Sequence, residues 1–168
     1  MKEQAIIIFI PNNKKIDDVR KKYDRYYKEF KPHITLVYPF KVANQKKVCE
    51  HIINSIKNFK SFKIELKGLK RSAKEYYLYL VINKGKNNIV KLYKKLNSGI
   101  LKGFENKKMP RYIPHVTLGS FSSKSKMEEA IKIIKKKDIK INADISKIHL
   151  LTFKKGAEIE KIKGFKLK

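Results

Sequence analysis

Two segments of the sequence repeat proline, histidine, threonine and leucine in the same order. Pro32–Leu36 reads PHITL and Pro114–Leu118 reads PHVTL, so their histidines stand 82 positions apart in a chain of 168 residues. Successive side chains of a strand point to opposite faces, so each histidine shares a face with the threonine two residues later. Each segment therefore presents one imidazole and one hydroxyl on one surface, with apolar residues behind them.

These residue types suit chemistry at a phosphoryl group. The ordinary pKa of histidine is near 6.5, so near neutral pH one imidazole can accept a proton while a second donates one. A histidine pair can take a proton from an attacking oxygen and give one to a leaving oxygen in the same displacement, with no metal required. Threonine hydroxyls can donate hydrogen bonds to the non-bridging oxygens. One His-X-Thr pattern means little, but two in matching surroundings, in a chain with four histidines, indicate a site.

The pattern of apolar residues that positions these segments also repeats, as strand–helix–strand–helix–strand. In the first half it predicts a strand over 4–10, a helix over 15–29, a strand over 33–38 closed by Pro39, a helix over 48–59 and a half-exposed strand over 62–66. In the second half it predicts a strand over 76–82, a helix over 89–100, a loop over 103–114, a strand over 115–119, a helix over 127–134 and strands over 139–145, 148–153 and 158–168.

This duplication predicts an α+β fold in one domain that spans 1–168. We expect two pseudo-symmetric lobes, approximately 1–74 and 75–168, because no linker rich in Gly, Pro or Ser separates the halves. Each lobe would be an antiparallel sheet with helices packed outside it, and a strand exchange between the lobes is compatible with the pattern. The two His-X-Thr segments would then face each other across a central cleft.

The charge of the chain favours a polyanionic partner. Lys and Arg number 42 against 15 Asp and Glu, which gives a formal net charge of +27. Such a surface attracts polyanions and makes their binding sensitive to salt, so nucleic acid is the favoured partner. The alternative is a Lys-rich composition without a specific partner. That alternative explains less, because the bias that favours Lys should favour Glu as well.

The rest of the composition excludes several classes of protein. A hydrophobic fraction of 42% excludes a disordered chain, and no apolar run approaches the roughly 18–20 residues of a membrane span. We expect a cytoplasmic, monomeric protein that does not bind membranes. Cys49 is the one cysteine, which excludes an intrachain disulfide and Cys-rich zinc sites, and its helical pattern predicts a buried spectator. His51 and His149 have no repeated threonine partner, so we expect structural roles for both.

The segments 32–40 (PHITLVYPF) and 113–119 (IPHVTLG) resemble the 2H phosphoesterase superfamily, whose name refers to two His-X-Thr/Ser-X motifs. The branch most similar to this sequence is that of the 2′-5′ RNA ligases, whose members hydrolyse RNA or nucleoside 2′,3′-cyclic phosphates. The resemblance covers essentially the whole chain and implies a bilobal fold. It implies His33 and His115 as catalytic residues, Thr35 and Thr117 as phosphate-binding residues, and no cofactor.

This resemblance implies a metal-independent cyclic phosphodiesterase. We assign His115 as the general base and His33 as the general acid, although the near symmetry of the motifs leaves the opposite assignment open. A 5′-hydroxyl in place of water would join RNA by a 2′-5′ bond in the reverse reaction. The alternatives are a 3′-end RNA exonuclease or 2′-5′ phosphodiesterase of the same superfamily, and a non-catalytic RNA-binding module.

Three further residues are candidate substrate contacts. Arg111 and Tyr112 directly precede the second motif, where a cation and a ring could meet phosphate or stack on a base. An equally good interpretation is that Pro110 and Pro114 merely hold them in a loop. Tyr38 lies an even number of residues from Ile34 and Leu36, so its side chain points to the same face of the strand as theirs. Packing is therefore favoured over contact with substrate.

Overall fold

The computed structural model describes residues 1–72, 75–105, 111–154 and 158–168, which form eight strands and four helices. The strands are β1 (Gln4–Phe9), β2 (His33–Phe40), β3 (Phe62–Ser72), β4 (Tyr77–Lys84), β5 (His115–Ser120), β6 (Lys140–Ile145), β7 (Lys147–Phe153) and β8 (Ile159–Lys166). The helices are α1 (Lys14–Tyr23), α2 (Gln45–Ile56), α3 (Lys86–Leu96) and α4 (Lys124–Lys135), and a 3₁₀ turn, Gly99–Leu101, follows α3.

The strands form two four-stranded antiparallel sheets. Sheet A has the order β2-β1-β7-β8 and sheet B has the order β5-β4-β3-β6. Each sheet takes strands from both halves of the sequence, since β3 lies in sheet B while β7 and β8 lie in sheet A. The two orders match strand for strand, with β1 and β2 in the places of β4 and β5. The predicted α+β fold with two pseudo-symmetric antiparallel sheets is confirmed.

The motif strands are fixed to the core by their apolar residues. Ile34 and Leu36 on β2, and Val116 and Leu118 on β5, have no exposed surface. All four belong to one hydrophobic cluster that includes both sheets and all four helices. Burial of these side chains holds each strand in register, because a slip of one residue would place the histidine and threonine in the core.

A second apolar cluster covers the opposite face of sheet A, the face of the motif histidine. It consists of Ala5, Ile7, Leu151 and Phe153, with Phe9, Phe30 and Ile159 packed against it. Phe30, from the chain segment directly before β2, thus packs on the face of sheet A that carries His33.

The predicted ends of the first helix and of the second strand are wrong. The helix predicted over 15–29 ends at Tyr23, because Asp24 adopts an extended conformation and its carboxylate accepts a hydrogen bond from the Tyr26 N–H. Residues 24–29 form turns instead. Pro39 does not close the second strand, which continues to Phe40 opposite Gln4. A proline is tolerated there because β2 is an edge strand of sheet A.

Other predicted boundaries differ as well. The third helix ends at Leu96, and Ile100 lies in the 3₁₀ turn with 41% of its surface exposed. The strand predicted over 62–66 continues to Ser72. Part of the predicted loop over 103–114, and the residues at the predicted boundary between the lobes, lie outside the described residues. No helix within the described ranges is both long enough and apolar enough to span a membrane.

Candidate active site

Both motif histidines are held by the same backbone hydrogen bond. Nδ1 of His33 lies 2.8 Å from the carbonyl oxygen of Lys31, and Nδ1 of His115 lies 2.7 Å from that of Ile113. A carbonyl only accepts, so Nδ1 carries the hydrogen and donates it in each ring. Each neutral imidazole therefore keeps its lone pair on Nε2, and each protonated imidazole has a proton to give from Nε2. The two rings are oriented alike for acid–base work.

The surroundings lower the pKa of both imidazoles. Burial is the main cause for His33 and for His115, and the hydrogen bond from Nδ1 to the backbone opposes it in each. The pKa of His33 is lowered further by the positive charge of Arg20 and raised by Asp24. His115 also lowers the pKa of His33, so the two rings interact electrostatically. At pH 7 both free imidazoles are mainly neutral.

One cavity is lined by residues of both motifs. It has a volume of about 240 Å³ and is bordered by His33 of the first motif and Thr117 of the second. Three aromatic residues form much of its remaining wall, namely Tyr26, Phe30 and Tyr77. The fold thus brings an imidazole from β2 and a hydroxyl from β5 to one space.

A buried ion pair supports the cavity on the side of His33. The Arg20 guanidinium donates to the Asp24 carboxylate from Nε at 2.9 Å and lies 2.8 Å from it through Nη2. Nη2 also donates to the carbonyl oxygen of Phe30 at 2.7 Å. The Phe30 ring in turn lies 5.6 Å from the His33 ring between centroids. These contacts fix the chain segment that carries the backbone acceptor of His33.

Sequence reasoning missed Arg20 and Asp24, although a signal was present. Arg20 falls in the apolar stripe of α1 beside Ile16 and Val19, where a charged side chain needs a partner, and Asp24 follows four residues later. Tyr79 was missed as well. Its ring lies 4.8 Å from that of His115, and it pairs with Thr117 across β4 and β5.

Tyr112 joins the approach to the second motif to the strand of the first. Its hydroxyl donates to the carbonyl oxygen of Thr35 at 2.8 Å, and its ring is stacked on Tyr93 with centroids 3.7 Å apart. Burial raises the pKa of Tyr112 well above its ordinary value, and Tyr38 and Tyr93 raise it further. The hydroxyl therefore remains a donor. The predicted stacking of Tyr112 on a base stays a prediction, with one face of the ring occupied by Tyr93.

The remaining candidates are placed as follows. Arg111 is exposed and Tyr38 is half-buried on β2, close enough to Tyr112 to affect its pKa. His51 hydrogen-bonds the carbonyl oxygen of Leu96 at 2.9 Å, which agrees with a structural role.

Cys49 is half-buried and lies 3.4 Å from the ammonium group of Lys163. Among the described residues, no three His, Cys, Asp or Glu side chains are grouped as metal ligands would be.

The sequence was compared with known families and proteins. The family described as the 2′-5′ RNA ligase superfamily matches residues 10–157. The chain belongs to this superfamily of 2H phosphoesterases. A Bacillus licheniformis protein named "Putative phosphoesterase" is 26% identical over 156 residues, which cover 86% of this chain and 87% of that protein.

Solved structures share the fold of this family member. Escherichia coli LigT complexed with 3′-AMP has a TM-score of 0.55 at 14% identity, covering 99% of this chain and 95% of LigT. Kluyveromyces marxianus Usb1 has a TM-score of 0.56 at 10% identity, covering 98% of each chain. These identities are low, so the likeness concerns the arrangement of strands and helices.

Proposed function

We propose that this 2H phosphoesterase opens 2′,3′-cyclic phosphates at RNA ends or on nucleotides, with two histidines as general acid and base. The observation that carries the proposal is the cavity bordered by His33 and Thr117, one residue from each motif. Family membership supports action on a phosphoester. The LigT neighbour was crystallised with a nucleotide, 3′-AMP, which supports a nucleotide as the ligand of such a cleft.

In the proposed reaction, His115 is the base and His33 is the acid. Nε2 of neutral His115 takes a proton from water as the water oxygen bonds to phosphorus. The bond from phosphorus to one ribose oxygen breaks, and Nε2–H of protonated His33 gives that oxygen its proton. The product is a ribose phosphomonoester with a free neighbouring hydroxyl. Exchange with solvent then returns His115 to the neutral form and His33 to the protonated form.

The hydroxyls of Thr35 and Thr117 would bind the non-bridging oxygens. Both side chains are half-buried, and hydrogen bonds in a partly dehydrated cleft stabilise charge more strongly than in water. The bound phosphate would also raise the pKa of a nearby imidazole, because an anion favours its protonated form. This effect offsets the burial that holds the free imidazoles neutral.

The walls of the cavity support His33 as the acid. The acid must stand beside the leaving oxygen, which belongs to the ribose, so the nucleoside lies on its side of the phosphate. Tyr26, Phe30 and Tyr77 border the cavity with His33, and aromatic rings bind bases of any sequence by stacking. In this proposal the attacking water is on the other side of the phosphate, where His115 acts as the base.

A product-resolved assay tests the proposal. The purified protein, in EDTA, should open a nucleoside 2′,3′-cyclic phosphate to a single phosphomonoester. His33→Ala and His115→Ala should each lower the rate at least about a hundredfold, because each removes one proton-transfer role. His51→Gln is the matched control, since His51 lies on α2 with a backbone partner, and it should keep the wild-type rate.

The same assay separates the other activities of the superfamily. Shortened RNA products, with the cyclic nucleotide untouched, would identify an exonuclease, and cleavage of 2′-5′-linked dinucleotides would identify that phosphodiesterase activity. An unchanged rate in either histidine variant would overturn the acid–base pair. Binding of RNA without any product would identify a non-catalytic module.

A further inference from the structure

The cleft face of sheet A continues beyond the first motif. Phe9 on β1 pairs with His33, and Ile7 pairs with both Thr35 on one side and His149 of β7 on the other. His149 pairs in turn with Gly164 of β8. Residues directly opposite each other in antiparallel strands point to the same face. This face therefore bears a strip of residues that we call the sheet A strip: Phe9, Lys147, His149, Gly164 and Lys166.

The middle of the strip is an open aromatic platform formed by the His149 ring. The Phe9 ring lies 4.9 Å from it between centroids and is tilted by 58° to it, and both residues are half-exposed. Gly164 is exposed, and a Cβ there would lie 3.7 Å from Cδ2 and 3.8 Å from Nε2 of His149. The lack of a side chain at Gly164 therefore leaves the His149 ring uncovered on that side. Nδ1 of His149 is enclosed and makes no hydrogen bond within the described residues.

One end of the strip is positively charged. Lys147 and Lys166 pair directly across β7 and β8, and both are exposed. Lys147 lies near enough to His149 to lower the pKa of that imidazole after the main effect of burial. Like charges opposite each other destabilise a sheet. A bound phosphate would turn this repulsion into attraction at both lysines.

We propose that the sheet A strip binds the nucleotide directly upstream of the cyclic-phosphate end of an RNA chain. Its base stacks on the His149 ring with Phe9 against its edge, and its phosphate lies at Lys147 and Lys166. β7 is two strands from β2, or about 10 Å, so the platform lies beside the catalytic pocket rather than inside it. The inference rests on the proposed function and narrows the substrate class to RNA ends in preference to mononucleotides.

The test compares two substrates with the same reactive group. Wild-type protein should show a higher kcat/KM for a dinucleotide that ends in a 2′,3′-cyclic phosphate than for the nucleoside 2′,3′-cyclic phosphate. His149→Ala should lower kcat/KM about tenfold for the dinucleotide and leave the mononucleotide unchanged. His149→Phe keeps a ring for stacking and should retain most of the preference.

Two further variants probe the openness and charge of the strip. Gly164→Val places a side chain over the His149 ring at ordinary contact distance and should reduce the dinucleotide preference as His149→Ala does. Lys166→Ala should lower the salt slope for the dinucleotide by about 0.7 log units per decade. Lys161→Ala is its matched control, since Lys161 pairs with Thr152 on the opposite face of the sheet, and it should leave the slope almost unchanged.

The outcomes separate this inference from the proposed function. Equal kcat/KM for the two substrates, or equal losses for both in His149→Ala, would overturn the strip and leave the cyclic phosphodiesterase intact. If neither substrate is opened, the strip can still be tested by binding. Fluorescence anisotropy measures the affinity of each variant for a labelled oligoribonucleotide that bears a 3′-phosphate. Weaker binding by His149→Ala and Gly164→Val would support the strip, and unchanged binding would overturn it.

Discussion

The chain segments that lead to the two histidines begin at matching places but differ in chemistry. Asp24 follows the last residue of α1 and Asn97 follows the last residue of α3, and both are buried. The backbone N–H of each donates to the carbonyl four residues earlier, in Arg20 and Tyr93 respectively. The first half of the duplication therefore has the Arg20–Asp24 ion pair at the place where the second half has the Asn97 amide and the Tyr93 ring.

The difference extends to the residue three positions before each histidine. In the first segment, Arg20 binds the backbone carbonyl of Phe30 and leaves the Phe30 ring beside the cavity. In the second, the Tyr112 ring is stacked on Tyr93 and its hydroxyl binds Thr35. The Arg20–Asp24 ion pair, which we call the charged clamp, holds the backbone of Phe30 and therefore leaves the Phe30 ring available to a ligand. In the second segment, the Tyr112 ring is stacked on Tyr93 and its hydroxyl joins the approach to β5 of sheet B to β2 of sheet A. The two halves of the duplication therefore surround their histidines differently, which in the proposed function would help one histidine to act as the acid and the other as the base.

The largest expected effect comes from breaking the charged clamp. Arg20→Met would leave the Asp24 carboxylate buried without its counter-charge, and such a loss costs about 3–5 kcal/mol of stability. Urea unfolding should show this as a lower midpoint. The double variant Arg20→Met/Asp24→Leu should recover part of the loss, because no unpaired charge remains.

The matched change in the second segment should be milder. Tyr112→Phe keeps the stack on Tyr93 and removes one hydrogen bond to Thr35, which costs about 1–3 kcal/mol if the carbonyl is left without a donor. Equal destabilisation by Arg20→Met and Tyr112→Phe would show that the two segments are energetically alike and would contradict the comparison.

A substrate whose leaving group needs no proton distinguishes the proposed acid, His33, from the proposed base, His115. Hydrolysis of bis(4-nitrophenyl) phosphate releases a nitrophenolate, which leaves without a proton. His33→Ala should therefore regain most of its hundredfold or greater loss on this substrate, while His115→Ala should not, because the attacking water still needs a base. The reverse pattern, read from nitrophenolate absorbance, would exchange the two roles.

The sequence allowed prediction of those parts of the site that depend on local alternation. Ile34 and Leu36 alternate with His33 and Thr35, so burial of the first pair places the second on the opposite face. The spacing of apolar residues, two apart in strands and three or four apart in helices, predicted the order of the elements, and the repeat of that order predicted two antiparallel sheets. Neither step needs knowledge of distant contacts.

The parts that could not be predicted depend on contacts between distant residues. The place of Arg20 in the apolar stripe of α1 indicates that it is buried, but its hydrogen bond to Phe30 depends on the turn that brings Phe30 back to it. Tyr79 adjoins His115 only because β4 and β5 pair in one register. The end of α1 was missed because the Asp24 side chain competes with the helix for backbone donors, and this local hydrogen bond overrides the apolar spacing.

The smallest expected effect is a displacement of the pH profile. One histidine must be protonated and the other neutral, so kcat/KM follows a bell whose maximum lies midway between the two pKa values. Burial lowers the pKa of both His33 and His115 below 6.5 in the free protein, which places the maximum below pH 6.5. Arg20 lowers the pKa of His33, and no charge in the described part of the chain has a matching effect on the pKa of His115. Arg20→Met should thus move one limb of the bell to higher pH.

Arg20→Lys separates the effect of the charge from that of the hydrogen bonds. It keeps the positive charge, so both limbs should stay near their wild-type positions even if the rate falls. A wild-type maximum above pH 7 would show that burial does not control the two imidazoles. Equal movement of both limbs in Arg20→Met would show that the ion pair acts on the whole cleft, and the electrostatic difference between the two histidines would then be lost.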